Sequence, residues 1–157
     1  MPSDADRTEP TDHELAQRGR ILPEPPPQPG RVTAIGTDIV ECSRIAEMLE
    51  KHGDEFLRRV YTDGEREYCT RHRKPVTHLA GRWAAKEAVL KALGTGWSRG
   101  IGWRDVEVLR DAAGRPSVAL HGAAAQIAAE SGIARVLLSI SHCDSHAVAF
   151  ATAVADS

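Results

Sequence analysis

Residues 79–96, LAGRWAAKEAVLKALGTG, carry the strongest helical pattern in the chain. Alanine, leucine, lysine and glutamate dominate the stretch, and all are good helix formers. At about 100° per residue, Ala80, Trp83, Ala84, Ala88, Leu90 and Leu93 spread around most of the barrel, which predicts a largely buried helix over 79–93. Gly94 and Gly96 end it, as glycine does just past a helix C-terminus. Upstream, VTAIGTDIV has the period of a strand, with Val32, Ala34, Asp38 and Val40 on one face and Ile35 and Ile39 on the other. Both faces are largely apolar, so this strand is predicted to be central. Ser43 opens a short helix as its N-cap, with Ile45, Met48 and Leu49 inward and Gly53 closing it. A second piece around DEFLRRV turns Phe56, Leu57 and Val60 inward, and Thr62 to Glu65 has the capping-box spacing for a third helix through Cys69, broken at Pro75.

After the loop GTGWSRGIG, WRDVEVLR alternates as a half-buried strand, DAAGRP turns, and SVALHG is a further strand. An alanine-rich helix stops at Gly132, and RVLLSISH and HAVAFATAV, joined by CDS, make an antiparallel hairpin. Strand, several helices, two strands, helix, two strands is an α+β order rather than a regular alternation. The ordered domain is expected over 31–157. Residues 1–30 hold seven of the nine prolines and few apolar groups, and are expected to be a disordered tail.

Composition narrows the picture. A chain of 157 residues favours one domain. A net charge of −2 gives no pointer to nucleic acid. No run approaches the roughly 18 apolar residues of a membrane span, and nothing at the N-terminus resembles a signal peptide. Cys42, Cys69 and Cys143 are scattered, as reduced thiols in a cytoplasmic protein would be. With aromatics at 4%, the core must be mostly Ala, Val, Leu and Ile.

The candidate chemistry starts from two costly carboxylates. Glu87 sits in the buried helix and Asp38 on an apolar strand, where burial disfavours a carboxylate unless it is paired or bound to a metal. Together they could hold magnesium, which needs only one or two carboxylates plus substrate phosphates. Taken alone, each is more readily a structural ion pair, with Lys91 the obvious partner for Glu87. Arg82, Lys86, Lys91 and the Gly94–Thr95–Gly96 turn could hold phosphate, although by spacing alone the turn is a plain helix cap. His142, flanked by Ser141 and Asp144, ends a strand where a proton carrier or anion ligand could sit. SISHCDS lacks the G-x-S-x-G of a nucleophile elbow. Arg58, Arg59, Arg66, Arg71, Arg73 and Lys74 make 58–74 basic on balance, either as a docking surface or as a solvated helical face.

Several strings together carry a resemblance. GTDIVECSRI at 36–45, FLRRVYTDGE at 56–65, GRWAAKEAVLKALGTG at 81–96, WRDVEV at 103–108, GRP at 114–116 and SISH at 139–142 resemble the holo-acyl-carrier-protein synthase family, the short type of 4'-phosphopantetheinyl transferase. Trp83 stands where the family more often has phenylalanine, and the proline-rich tail is extra. The resemblance implies a small, mostly antiparallel sheet packed with helices around one long central helix. It implies transfer of the 4'-phosphopantetheine arm of coenzyme A to a serine of apo acyl carrier protein, with release of adenosine 3',5'-bisphosphate, in fatty acid biosynthesis. By motif match Asp38 and Glu87 would hold Mg2+. Arg82, Lys86, Lys91, Gly94, Thr95, Gly96, Pro116, Ser141 and His142 would form the coenzyme A and phosphate site. Glu87 is expected to help deprotonate the carrier serine, directly or through a water on the metal, with Lys91 assisting the leaving bisphosphate. The resemblance also implies a homotrimer with each site at a subunit interface, and basic helices after Ser43 that receive the acidic carrier. A non-catalytic carrier-binding module and a magnesium-dependent phosphohydrolase are the competing readings.

Overall fold

The computed structural model describes residues 30–156, and the expected tail lies outside the described residues apart from Gly30. In order it contains β1 (Arg31–Glu41), α1 (Cys42–Val60), α2 (Asp63–Thr70), α3 (Pro75–Leu93), a 3-10 turn (Trp103–Asp105), β2 (Val106–Arg110), β3 (Pro116–Leu120), α4 (Gly122–Glu130), β4 (Arg135–His142) and β5 (His146–Ala155). Two antiparallel sheets form, one in the order β1-β5-β4 and one of β2-β3. This is the expected α+β arrangement, with the long α3 packed across the three-stranded sheet.

Small side chains set that packing. Ala147, Ala149, Ala151 and Ala153 of β5 are at most 1% exposed, and they meet a helix whose Ala80, Ala84, Ala85 and Ala88 are fully buried. A core poor in aromatics therefore closes by bringing backbones together rather than by filling space with rings. The closest approach is at Gly36 of β1. A Cβ there would overlap the Ala88 carbonyl oxygen and lie 2.7 Å from the Ala92 nitrogen, so only glycine allows this crossing. Asp38, two residues on and on the same face of the strand, is positioned by it.

Several expectations need correction. β1 is an edge strand, paired only with β5. Its second apolar face is open in the single chain, with Ile35 73% and Ile39 66% exposed. A register shift between Val32 and Ala34 breaks the alternation, and Val32 turns outward with them. α3 starts at Pro75, not at 79: proline occupies its first turn, where its missing N–H has no intrahelical role. Glu41, not Ser43, precedes α1, and Ser43 Oγ reaches the Glu41 carboxylate instead, at 3.4 Å. The two short helices read around Gly53 do form: within Cys42–Val60 the helical backbone is broken at Gly53, at φ 50° and ψ −131°. The segment 103–110 is a strand only from Val106. The Thr62 capping box forms as expected, with Thr62 Oγ1 accepting from Glu65 N and Glu65 Oε2 accepting from Thr62 N at 2.9 Å.

Candidate active site

The long helix α3 carries two groups of polar side chains, one in each half. In the C-terminal half, Lys91 Nζ donates to Asp38 Oδ1 at 2.9 Å and to the Thr37 carbonyl at 2.8 Å. Lys91 thus pairs with Asp38 across the strand–helix crossing, not with Glu87 on its own helix. Glu87, one turn earlier and partly exposed, accepts the indole N–H of Trp97 on Oε1 at 2.8 Å. Asp38 Oδ2 and Glu87 Oε2 make no hydrogen bond to the described residues.

That donor set suits magnesium. Two hard carboxylates are open to solvent, each with one oxygen uncommitted, and the Asp38 side chain is 18% exposed. Among the described residues no group of three or more His, Cys, Asp or Glu could hold a metal. A cation here would therefore take its remaining ligands from water and a phosphorylated substrate, as magnesium does.

In the N-terminal half, Arg82 opens onto a pocket with Tyr68, His78, Arg110, Pro116 and His142. The Arg82 guanidinium lies 4.0 Å from the centre of the Tyr68 ring, and that of Arg110 lies 5.2 Å from it. Arg82 is 5% exposed, and its Nε has no hydrogen-bond partner. Two cations converge on one pocket, one of them incompletely bonded, an arrangement that could receive an anion. His142 meets the edge of His78 at 5.1 Å, and His78 stacks on His72 at 3.9 Å. Burial, then electrostatic coupling to His72, His142, Arg82 and Arg110, lower the His78 pKa to about 4. At neutral pH this ring is uncharged, and the two arginines supply the pocket's positive charge.

Other predicted residues lie elsewhere. Lys86 is wholly enclosed: its ammonium bonds Glu65 Oε2 at 2.9 Å, the Trp103 carbonyl at 3.0 Å and the Val106 carbonyl. This corrects the expected phosphate contact, because an ammonium with no exposed surface and three protein acceptors has nothing left to offer a ligand. Burial pulls its pKa down, and Glu65 pushes it back up. In the Gly94–Thr95–Gly96 turn, Gly94 is left-handed at φ 73°, and the Gly94 and Thr95 amides bond the Leu90 and Lys91 carbonyls. Two of the three amides thus cap the helix. Ser141 is exposed on β4, and the strand's alternation points it to the sheet face opposite His142. Of the basic residues, Arg58, Arg66, Arg71 and Lys74 pair with Asp54, Asp63, Glu67 and Asp144. Arg59 and Arg73 have no ion pair among the described residues.

Sequence reasoning did not single out Trp97, His78, Arg110 or Glu65 for these places. Trp97 carried a local signal, an aromatic placed directly after the glycine turn; Glu65 was visible only as a capping residue, and His78 lies one turn before Arg82.

Comparison with known proteins bears on these groups. A family model described as the 4'-phosphopantetheinyl transferase superfamily matches residues 34–151. The holo-[acyl-carrier-protein] synthase of Protochlamydia amoebophila is 51% identical over 117 residues, covering 74% of this chain and 93% of that protein. That of Gloeobacter violaceus is 53% identical, covering 73% and 87%. Among solved structures, holo-[acyl-carrier-protein] synthase from Neisseria meningitidis aligns with a TM-score of 0.72 at 38% identity, covering 78% of this chain and 98% of that one. The Bacillus anthracis enzyme in complex with CoA (3',5'-ADP) aligns at 0.66 and 34% identity, covering 80% and 98%.

Proposed function

As the chain belongs to the holo-[acyl-carrier-protein] synthases of the 4'-phosphopantetheinyl transferase superfamily, we propose that it moves the phosphopantetheine arm of coenzyme A onto a serine of apo acyl carrier protein, releasing adenosine 3',5'-bisphosphate. The observation that supports this reading is the crossing of β1 and α3, where Lys91 bonds Asp38 and Glu87 lies one helical turn before Lys91. Asp38 and Glu87 would hold magnesium there, supplying charge neutralisation and a template for the pyrophosphate oxygens. Glu87 draws off the proton of the carrier serine through an intervening water as that hydroxyl attacks phosphorus and the bond to the bisphosphate breaks. Lys91, fixed by Asp38 and the Thr37 carbonyl yet 51% exposed, faces the leaving phosphate and stabilises its growing charge. Arg82 and Arg110 receive the nucleotide's remaining phosphate, with Pro116 and His142 as walls. In the glycine turn the Gly94 and Thr95 amides are spent on capping α3, which leaves the Gly96 amide for phosphate. Positioning and charge account for most of such a transfer. The reading places the chain in the cytoplasm and in fatty acid biosynthesis; no helix among the described residues is long and apolar enough to cross a membrane. Its test is the transfer itself, read as a gain of the arm's mass on the carrier.

The carrier docks on α1 and the segment after it, where Arg44, Arg59 and Arg73 are exposed and without an ion pair among the described residues. The assembly is a homotrimer joined through the open face of the β1-β5-β4 sheet. Ile35, Ile39, Leu137 and Phe150 are 73, 66, 49 and 57% exposed there, an apolar surface that a lone soluble chain rarely leaves open. With the carboxylates and the arginine pocket in separate halves of α3, each reaction centre joins the carboxylates of one copy to the pocket of another. Ile39→Asp with Phe150→Asp is expected to give monomers by sedimentation velocity and to abolish transfer. A trimer that survives both charges would show that this face is not the interface.

A further inference from the structure

All three tryptophans of the chain meet beside Glu87. Trp97 stacks on Trp103 with ring centroids 3.6 Å apart, and Trp103 packs on Trp83 at 4.1 Å. Trp83 lies on α3 one turn before Glu87, and Glu87 Oε1 takes the Trp97 N–H at 2.8 Å. The contacts close a ring: Glu87 to Trp97, Trp97 to Trp103, Trp103 to Trp83, and along the helix back to Glu87. The Trp103 backbone is itself pinned, because its carbonyl accepts from the buried Lys86 ammonium at 3.0 Å. Trp97 is 37% exposed, which is unusual for an indole with no surface task, but its N–H is committed to the carboxylate.

We propose that Trp97 is a positioning residue for Glu87: its indole N–H fixes one carboxylate oxygen and so aims the other at the magnesium site. This deepens, and rests on, the reading that Glu87 is a magnesium ligand. A glutamate on a helix surface samples several rotamers, and ordering it opposes binding. A donor held by a packed aromatic stack supplies that order before the metal arrives. Groups that orient a metal ligand in this way typically affect affinity or activity by about 10- to 100-fold. Lys91 does not serve this role, because its ammonium is turned to Asp38.

The test uses two variants of the full chain. Trp97→Phe keeps an aromatic face against Trp103 and removes only the N–H; Trp97→Leu removes both. In metal-free 15N-labelled protein, Trp97→Phe deletes and thereby assigns one of the three indole N–H signals. Glu87→Ala is expected to move that signal and to leave those of Trp83 and Trp103 nearly in place. With coenzyme A bound, calorimetry should show magnesium binding about 10- to 100-fold weaker in Trp97→Phe, with kcat recovering at saturating magnesium. An indole signal indifferent to Glu87→Ala overturns the proposal, and so does wild-type magnesium affinity in Trp97→Phe. Loss confined to Trp97→Leu also overturns it, since that makes Trp97 a wall of the stack only. A wild-type protein that binds magnesium in the expected way but transfers nothing would sink the transferase reading while leaving this one standing.

Discussion

Glu87→Gln is expected to lower kcat for phosphopantetheine transfer by about 10²- to 10⁴-fold, the range for loss of a positioned general base. The substitution isolates charge. Glutamine has the same length and still offers an oxygen to the Trp97 indole, so the aromatic stack and helix α3 stay as they are. What disappears is the negative charge proposed to hold magnesium and to draw off the serine proton. KM for coenzyme A should change far less, because Arg82 and Arg110 lie in a pocket that Glu87 does not line. Initial rates across a magnesium series separate the two roles. Excess magnesium restores a weakened ligand but not a missing base, so rescue should be incomplete. Full turnover in Glu87→Gln would remove both roles together.

Lys86→Met should damage the fold rather than the chemistry. Lys86 and Glu65 form an ion pair in which neither side chain has exposed surface. Glu65 also accepts from the Val108 and Thr62 amides, while Lys86 also serves the Trp103 and Val106 carbonyls. Helices α2 and α3, the 3-10 turn and β2 are thus tied at one point. Removing one partner of a buried pair leaves an uncompensated charge and costs about 3–5 kcal/mol. For a domain of this size that is a fall of about 10–20 °C in Tm by calorimetry. Lys86→Met with Glu65→Leu should recover much of the loss, since an apolar pair of similar volume leaves no charge behind. Folded Lys86→Met at low temperature should still transfer the arm, with a magnesium requirement raised no further than in Trp97→Phe. A variant of normal Tm that had lost activity would return Lys86 to the phosphate site.

The fate of Lys86 shows how far the sequence could be read. Helix α3 was visible because its alanines and leucines surround it, and Lys86 within it was read as a phosphate ligand because nothing in the pattern named its partner. Glu65 lies 21 positions away and was legible only as half of a capping box, a role it also fills. The antiparallel β4–β5 hairpin and the Thr62 cap were local patterns, and both formed. The position of β1 was not local. Apolar residues on both faces mark a strand covered on both sides but cannot say whether a second sheet layer or a second copy covers it, so Ile35 and Ile39 suggested a central strand where the fold has an edge. Asp38 and Glu87 stood out because each sat in an apolar setting, and a lysine four residues on made Glu87 the expected partner. The glycine at 36 decided otherwise by drawing β1 so close that Lys91 reaches Asp38. Trp97 and Arg110 reach their places through a loop and through sheet pairing, for which spacing along the chain gives no measure, whereas His78 lies one turn before Arg82 on α3 and was missed because the helix was expected to begin only at 79.

The central claim is that this chain transfers phosphopantetheine through a magnesium site built on Asp38 and Glu87. Intact-mass spectrometry of an apo acyl carrier protein, incubated with the chain and coenzyme A, tests it most directly. With magnesium the carrier should gain the mass of one phosphopantetheine arm, with adenosine 3',5'-bisphosphate in equal amount. With a chelator, or with Asp38→Asn and Glu87→Gln combined, the gain should vanish. A carrier bound by the chain but unchanged in mass would mark a non-catalytic binding module, and coenzyme A cleaved without any gain on the carrier would mark a phosphohydrolase; either result contradicts the account.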